Sequence, residues 1–268
     1  MTDSRRRRLD SELVRRGLFP SRQAAQEAID AGKIRVGGAV ADKPARLVAP
    51  GEPVVVEGPP PRFVSRGGLK LEAALNRFRI DVAGRVALDA GASTGGFTDC
   101  LLQRGARKVV AVDVGRGQLH ERLRADPRVV VVEGLNIRTA TPAELPDAPF
   151  EVVVADLSFI SLRTVAPALL GLARPGADVI ALVKPQFEAG RAEVSRGRGV
   201  VRDPTVWRRV LAEVTSAMVA SGAAMMGCMP SPIKGADGNV EFLIHAAAAA
   251  GGRDVLPGLA DAVAEAAV

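Results

Sequence analysis

The sequence predicts a doubly wound α/β domain with a mostly parallel sheet, preceded by a small α+β module. From about Arg85 onward, short apolar runs alternate with helix-like segments, and each run is continuously apolar rather than alternating. Continuous apolar strands suit a parallel sheet buried on both faces, and interleaved helices suit double winding of that sheet. A glycine followed by three prolines at residues 58–61 is stiff, extended material and predicts the boundary between the two parts.

Seven strands are expected in the larger domain. Five of them are the apolar runs 86–88, 109–112, 129–132, 152–154 and 179–183. The tail differs, because a run over 223–229 and a second over 240–247 are separated by a turn rich in proline and glycine. We expect these last two segments to pair antiparallel at the edge of the sheet.

The N-terminal module is expected to contain two helices followed by short strands. The first helix begins at Leu9 and ends near Gly17, and the second, over residues 22–31, is capped by Ser21. The remaining segments are a strand over 33–36, a hairpin turn at Gly37-Gly38 and a strand over 53–57. The expected organisation is therefore a module over 1–58, a linker over 59–65 and a catalytic domain over 66–268.

Composition limits the classes of function. Residues 1–62 hold 12 Lys and Arg against 8 Asp and Glu, and a basic surplus in a short segment is typical of a polyanion partner. No run approaches the ~18 apolar residues of a membrane span, so we expect a soluble, cytoplasmic protein with no membrane partner. The two cysteines lack metal-site spacing, and the two histidines lie far apart in the sequence, so no metal is expected. Oligomeric state cannot be inferred from these features.

The loop after the first strand of the larger domain predicts a cofactor site. Its spacing is G-x-x-x-G-G, which is neither the dinucleotide fingerprint G-x-G-x-x-G nor a phosphate-binding P-loop. Asp89 directly before it would repel a pyrophosphate, but it suits the cationic amino-acid part of S-adenosylmethionine, and Asp113, 24 residues later, can bind ribose hydroxyls. The candidate cofactor residues are Asp89, Gly91, Ala92, Ser93, Gly95, Gly96, Phe97, Asp113, Val114 and Asn136.

Four charged residues are candidates for catalysis: Lys70 before the sheet, Asp156 after the fourth strand, Lys184 after the fifth, and Glu241 in the last. Ligands of open α/β sheets bind outside the carboxyl ends of the strands, where Asp156 and Lys184 fall. A partly desolvated Lys184 beside a second cation, Lys70, favours a neutral amine that can act as general base, with Asp156 orienting it. The expected substrate group is a ribose hydroxyl.

The N-terminal segment resembles the RNA-binding module first named for ribosomal protein S-four. The matching residues are Arg5, Leu9, Asp10, Leu13-Val14-Arg15-Arg16-Gly17, Ser21-Arg22-Gln23-Ala24, Ile29, Gly32-Lys33-Ile34 and Val36-Gly37-Gly38. The resemblance implies RNA phosphate contacts from Arg5, Arg15, Arg16, Arg22 and Lys33, and such contacts give affinity and placement rather than base specificity.

The larger domain resembles the TlyA family. The matching motifs are Ser65-Arg66-Gly67-Gly68, Lys70-Leu71, residues 88–98, Ala155-Asp156-Leu157-Ser158-Phe159-Ile160-Ser161, residues 182–188 and Gly238-Asn239-Val240-Glu241-Phe242. The resemblance implies a Rossmann-like class I methyltransferase fold of the FtsJ type, whose Lys-Asp-Lys-Glu tetrad maps onto Lys70, Asp156, Lys184 and Glu241. It also implies ribosomal RNA in ribosomes or their subunits as substrate, a cytidine 2'-hydroxyl as target, and a bearing on antibiotic susceptibility.

Departures from the family and rival functions remain. Arg116 stands where the family usually has an aromatic residue, and Leu135 replaces a small polar one, which puts the affinity for the cofactor in question.

One alternative function is that of a non-catalytic RNA-binding or ribosome-assembly protein that retains the cofactor fold. Others are a methyltransferase acting on a small molecule or protein, and a membrane-lytic protein, for which the sequence shows no exposed amphipathic helix or apolar span beyond the alanine-rich tail over 246–250.

Overall fold

The protein is described by a computed structural model that covers residues 6–19, 22–58, 61–235, 237–249 and 258–268. The chain divides into two compact units, Met1–Ser65 and Arg66–Val268. Arg5 and Ser21, expected to contact RNA and to cap a helix, lie outside the described residues. None of the described helices has the length and apolar character needed to cross a membrane.

The first unit contains two helices and short antiparallel strands. Its elements are β1 (Arg7–Arg8), α1 (Leu9–Arg15), α2 (Arg22–Asp30), β2 (Ile34–Val36), β3 (Ala39–Val40), β4 (Leu47–Val48) and β5 (Val54–Val56). β2 pairs antiparallel with β3 across the predicted Gly37-Gly38 turn, and with β5 on its other side. Both predicted helices form, each slightly shorter than expected. The β1–β4 pair was not predicted, since two-residue strands are too short to show alternation.

The second unit is a seven-stranded α/β sandwich. Its strands are β6 (Val86–Ala90), β7 (Lys108–Asp113), β8 (Val129–Glu133), β9 (Phe150–Ala155), β10 (Ala173–Val183), β11 (Ala224–Pro230) and β12 (Phe242–Ala247). Its helices are α3 (Gly67–Phe78), α4 (Gly96–Gln103), α5 (Glu121–Arg124), α6 (Leu162–Gly171), α7 (Pro185–Glu188), α8 (Arg191–Arg196), α9 (Pro204–Ala220) and α10 (Leu259–Ala266), with a 3-10 turn at Pro142–Glu144. The predicted α/β class is confirmed.

The order of the strands across this sheet is β11-β12-β10-β9-β6-β7-β8. The five strands from β10 to β8 in this order run parallel to one another, while β12 pairs antiparallel with both β10 and β11. The expected antiparallel pairing of the two tail segments is therefore confirmed, with β11 at the edge. The order in which successive strands are added to the sheet reverses between β6 and β9, although these two strands are parallel. Open α/β sheets bind their ligands at such a switch point.

Helix ends in this unit follow from local side chains. α9 begins after Asp203, whose carboxylate accepts the Thr205 N–H at 2.8 Å, and Pro204 occupies the first helical position, where its missing N–H costs nothing. α3 ends at Arg79 in the left-handed conformation, with φ +55°. Lys70 lies in the first turns of α3.

Candidate active site

Strand register brings three of the four catalytic candidates to one end of the sheet. β10 pairs antiparallel with β12 up to Val183 opposite Phe242, so the next residues along that ladder are Lys184 and Glu241. β9 ends beside β6, and the Asp156 N–H donates to the Ala90 carbonyl at 3.1 Å. Glu241 immediately precedes β12 rather than lying within it, a one-residue correction to its predicted position. The topology therefore gathers Asp156, Lys184 and Glu241 where the strands end.

Lys184 is held by the loop that follows β9. Its Nζ lies 2.6 Å from Asp156 Oδ1, as an ion pair without the alignment of a hydrogen bond, and it donates to Ser158 Oγ at 2.9 Å. The Lys184 side chain is 11% exposed, so the pair is partly shielded from water. The expected role of Asp156 in orienting the amine stays a prediction, and its carboxylate lies close enough to act on that amine.

Lys70 forms the second pair. Its Nζ lies 2.5 Å from Glu241 Oε2, and both side chains are buried. The close approach of Gly235 restricts Glu241 further, because a Cβ on that glycine would lie 2.6 Å from Glu241 Oε1. Each lysine thus has a carboxylate as its nearest partner, whereas the sequence suggested that the two lysines would act on each other.

A cavity of about 450 Å³ adjoins Asp156, and its volume lies within the ~300–1,000 Å³ of small-molecule sites. Asp156 lines it, so one residue belongs both to the cavity and to the ion pair with Lys184. Five candidate cofactor residues also line it: Gly91, Ser93, Asp113, Val114 and Asn136. Ala92 borders a much smaller adjacent space, while Gly96 and Phe97 are buried in the first turn of α4. Gly95 packs against Leu119 and Leu123.

Asp113 shapes the cavity through the backbone around it. Its Oδ2 accepts the Ser93 N–H at 2.8 Å and its Oδ1 accepts the Gly115 N–H at 2.7 Å. Each carboxylate oxygen has a second lone pair, so the group remains able to accept from ribose hydroxyls. Gln118, which the sequence reasoning missed, also lines the cavity and is 3.2 Å from Ser93 Oγ.

Asp89 is fully buried at the end of β6 and does not itself line the cavity. Its Oδ2 accepts from Thr98 Oγ1 at 2.6 Å, but Oδ1 is buried without a hydrogen-bond partner. Burial is the main cause that raises the pKa of Asp89, to about 7; Thr98 opposes the shift, and the nearby charges of Asp156 and Asp113 add to it. A buried, unpartnered carboxylate oxygen two residues before cavity-lining Gly91 fits a cationic ligand group, as S-adenosylmethionine has.

Gly91 is required by both its conformation and its surroundings. It has φ +84°, and a Cβ there would lie 2.6 Å from the Asp156 carbonyl oxygen. We predict that Gly91→Ala lowers cofactor affinity at least 10-fold and destabilises the fold, because the backbone around Asp156 must shift. Calorimetric titration and thermal unfolding measure the two effects. Gly84→Ala is the matched control: Gly84 has φ +72° with open space around it, so we expect a cost of about 1 kcal/mol and unchanged affinity.

Part of the cavity lining comes from the loop after β9, whose lining residues were quoted only as part of a motif. They are Leu157, Ser158, Phe159 and Ile160. Phe159 is 91% exposed with φ +64°, and its ring lies 5.1 Å from that of Phe187. An aromatic residue in the loop directly after a parallel strand, where such sheets bind their ligands, is the signal that sequence reasoning could have used.

The two departures from the family differ in their consequences. Leu135 lines the cavity. Arg116 instead packs its guanidinium over Gly134, where a Cβ would lie 2.5 Å from Nη2. Leu135 is therefore the departure placed to alter ligand affinity.

The basic residues of the first unit have unequal surroundings. Arg15 pairs with Glu12 at 2.6 Å and Arg22 with Asp10 at 2.9 Å, and about half of each arginine side chain is exposed. Lys33 is also exposed. Arg16 is only 20% exposed; it pairs with Glu12 and donates to the carbonyl oxygens of residues 49, 50 and 52. These contacts make Arg16 a structural residue of the module.

The carboxylates that pair with these arginines have lowered pKa values. Hydrogen bonding to Arg15, with a further contribution from Arg16, lowers the pKa of Glu12 to about 2, against the opposing effect of burial. The Arg8 side chain, helped by Gln26 and Arg22, lowers the pKa of Asp10. Glu12 and Asp10 therefore form ion pairs with arginines of the same unit.

Comparison with known families gives two matches that together span most of the chain. The FtsJ-like methyltransferase model matches residues 63–248, and the S4 domain model matches residues 7–54. The first of these matches covers more than half of the sequence. It contains the four catalytic candidates Lys70, Asp156, Lys184 and Glu241.

Individual relatives agree with these matches. The 16S/23S rRNA (cytidine-2'-O)-methyltransferase TlyA of Mycobacterium tuberculosis is 52% identical over 90% of this chain and 90% of its own length. Hemolysin A of Brachyspira hyodysenteriae is 41% identical over 89% of this chain and 98% of its own. A solved structure named as a hemolysin from Streptococcus thermophilus has a TM-score of 0.80 and 41% identity, and the alignment covers 98% of this chain and 96% of that one.

Proposed function

The chain belongs to the TlyA family of FtsJ-like methyltransferases, and we propose that it methylates the ribose 2'-hydroxyl of a cytidine in ribosomal RNA. Its methyl donor is S-adenosylmethionine, as in methyltransferases of this fold. The ribose, the cytidine and the ribosome enter here from the named activity of the M. tuberculosis relative. The fold and the site support that activity.

One observation carries the proposal: Asp156 lines the cofactor cavity and pairs with Lys184 at 2.6 Å. The cavity and the lysine are therefore joined through one side chain, which brings a bound cofactor and a proton acceptor to the same place. Holding reactants together in this way supplies much of the rate in a group transfer.

When bound, S-adenosylmethionine supplies an electrophilic methyl group. The chain's own task is to hold the ribose and to take its proton, and in our proposal the amine of Lys184, in its neutral form, accepts the proton of the 2'-hydroxyl. Asp156 fixes the direction of that amine. Lys70, held by Glu241 at 2.5 Å, places a cation beside the oxygen as its negative charge develops.

The cofactor residues have matching roles in the proposal. Asp89 and the loop from Gly91 to Phe97 would hold the amino-acid part of the cofactor, with the glycines allowing close approach of the backbone. Asp113 would accept from the ribose hydroxyls of the cofactor, and Val114 and Asn136 would flank its adenine. Gln118 and Leu135 join this set because they line the same cavity.

The S4 domain supports an RNA partner, and the proposed partner is ribosomal RNA within ribosomes or ribosomal subunits in the cytoplasm. Arg15, Arg22 and Lys33 are exposed and suited to contact phosphates. Arg5 stays a predicted contact outside the described residues. Arg16 is expected to act through the stability of the module.

We predict that Lys33→Ala and Arg16→Ala separate these two roles. Lys33→Ala should weaken RNA binding and reduce the slope of log affinity against log salt by about 1, as expected for one lost phosphate contact. Arg16→Ala should lower the free energy of unfolding by roughly 1–2 kcal/mol, since it leaves Glu12 and three carbonyls short of a donor, with a smaller change in salt slope. Binding titrations at several salt concentrations and chemical unfolding give the two readings. Equal salt slopes for Lys33→Ala and the parent would remove Lys33 from the interface.

The chemical position of the methyl group tests the function. A ribose 2'-O-methyl group blocks alkaline cleavage of the linkage that follows it, whereas a methyl group on the base does not. Ribosomal RNA treated with the enzyme and S-adenosylmethionine should therefore acquire an alkali-resistant linkage after a cytidine. Methylation of RNA with every linkage still alkali-labile would contradict the ribose assignment.

A further inference from the structure

Two loops at the strand ends carry Lys184 and Asp156, and several contacts join them besides the ion pair. The first loop, residues 156–161, follows β9, and the second, residues 184–188, follows β10 and includes α7. Lys184 Nζ donates to Ser158 Oγ, and the ring of Phe159 packs against that of Phe187. In each contact the residue from the first loop, Ser158 or Phe159, also lines the cavity.

A further contact is buried and lies away from the reacting groups. Glu188, at the end of α7, is only 4% exposed. Its Oε2 accepts from Ser161 Oγ at 2.5 Å and its Oε1 accepts the Leu162 N–H at 2.6 Å. Both oxygens of the carboxylate thus bind the point where the first loop ends and α6 begins.

Arg163 completes this contact. Its Nε lies 3.3 Å from Glu188 Oε2, and its Nη2 donates to the Glu188 carbonyl oxygen at 2.9 Å. Arg163 therefore compensates the buried charge of Glu188. It binds the second loop through both the side chain and the backbone carbonyl of Glu188. A negative charge also suits this position because the first N–H groups of a helix lack partners within the helix.

Capping of α6 does not by itself account for Glu188. Ser161 already caps the helix, since its Oγ accepts the Arg163 N–H at 3.2 Å. Glu188 comes from 26 residues further along the chain, and a buried carboxylate carries a desolvation cost that a local cap avoids. What it adds is a fixed distance between the two loops.

We propose that Glu188 is a positioning residue for methyl transfer, which holds the loops of Asp156 and Lys184 at the separation their 2.6 Å ion pair requires. The inference rests on the proposed function. Glu188 touches neither the cavity lining nor the lysine among the contacts of the described residues, so it acts through the backbone of both loops. Misplacement of a catalytic group by about 1 Å can cost ~100-fold in rate.

Glu188→Gln and Ser161→Ala test this role because both act on the Ser161–Glu188 contact: the first removes the charge of the accepting carboxylate, and the second removes the donating hydroxyl, which also caps α6. We expect each to lower kcat at least 10-fold, measured well below the unfolding temperature, with KM for the RNA within about 3-fold of the parent. The double variant should lose no more than the worse single one, since residues that share one contact are not additive. Glu213→Gln is the matched control, because Glu213 is the partly exposed second partner of Arg163, at 2.6 Å, and its loss should leave kcat within about 2-fold.

A purely structural role gives different results and would overturn the proposal. In that case Glu188→Gln lowers the unfolding temperature but retains the parental kcat, or the effects of the two substitutions multiply. If Glu188→Gln does not fold, Ser161→Thr and Ser161→Ala decide: a retained hydroxyl should keep kcat near the parent, and equal kcat values for the two variants overturn the proposal. Absence of ribose methylation by the parent enzyme would contradict the proposed function itself, before any variant is compared.

Discussion

Lys184→Ala is expected to abolish methyl transfer while the protein still binds S-adenosylmethionine. In the proposed mechanism Lys184 is the proton acceptor, and removal of a general base typically costs ~10²–10⁴ in rate. Asp156 lines the cavity but Lys184 does not, so the affinity for the cofactor should change little. Single-turnover transfer from labelled S-adenosylmethionine, together with calorimetric titration, separates the two quantities.

Two further substitutions sharpen this result. Lys184→Arg keeps a cation able to pair with Asp156 but offers no neutral form, so it should be nearly as inactive as Lys184→Ala if the lysine is a base. Recovery of activity by arginine would show that only the positive charge matters. Lys108→Ala is the control: Lys108 also forms a 2.5 Å ion pair, with Asp147, but at the start of β7, where the strand is remote from the site. It should retain full activity.

Asp89→Asn is expected to weaken cofactor binding by at least 10-fold and to remove a pH dependence from the stability of the fold. Burial raises the pKa of Asp89 to about 7, whereas in the unfolded chain it is about 4. Between those values the folded state binds more protons than the unfolded state. The free energy of unfolding of the parent should therefore fall as pH rises from 4 to 7, by roughly 2–4 kcal/mol, and stay low above pH 7.

The asparagine variant lacks this ionisation. The free energy of unfolding of the variant minus that of the parent should therefore be larger at pH 8 than at pH 5. Chemical unfolding at the two pH values measures this difference. Asp126→Asn is the surface control, because hydrogen bonding to Arg128 lowers the pKa of Asp126 and its removal should give no gain at pH 8. A pH dependence identical in Asp89→Asn and the parent would contradict the assignment.

Cofactor binding by the parent provides an independent reading of the same group. A cationic ligand stabilises the ionised carboxylate, so binding should release a proton near neutral pH and affinity should rise as pH increases through about 7. Titration in buffers with different enthalpies of ionisation counts the protons released. Asp89→Asn should release none from this position.

Much of the fold could be predicted because its signals are local and repeated. The valine-rich runs become strands of the parallel sheet, and the residues directly after them, Asp156 and Lys184, meet because parallel strands end at one edge. The pairing of β11 with β12 also followed from the pattern of the tail. Such features depend on periodicity and chain order, which the sequence displays directly.

Other features depend on contacts between distant side chains and were beyond prediction. Arg16 was expected at an RNA surface, yet its guanidinium reaches the carbonyls of residues 49, 50 and 52. Lys70 and Glu241 are separated by 171 residues, so their pairing could be expected only from family resemblance. Glu188 was quoted only as the last residue of a motif, because only the fold brings its carboxylate to Ser161.

The most direct test of the account is methyl transfer to separated, unmodified ribosomal subunits. The enzyme, labelled S-adenosylmethionine and each subunit are incubated together, and the label is mapped to a nucleotide and to an atom. We predict label on the 2'-oxygen of cytidine in the RNA of at least one subunit, and none with Lys184→Ala. Label on a base or on ribosomal protein, or equal labelling by Lys184→Ala, would contradict the account.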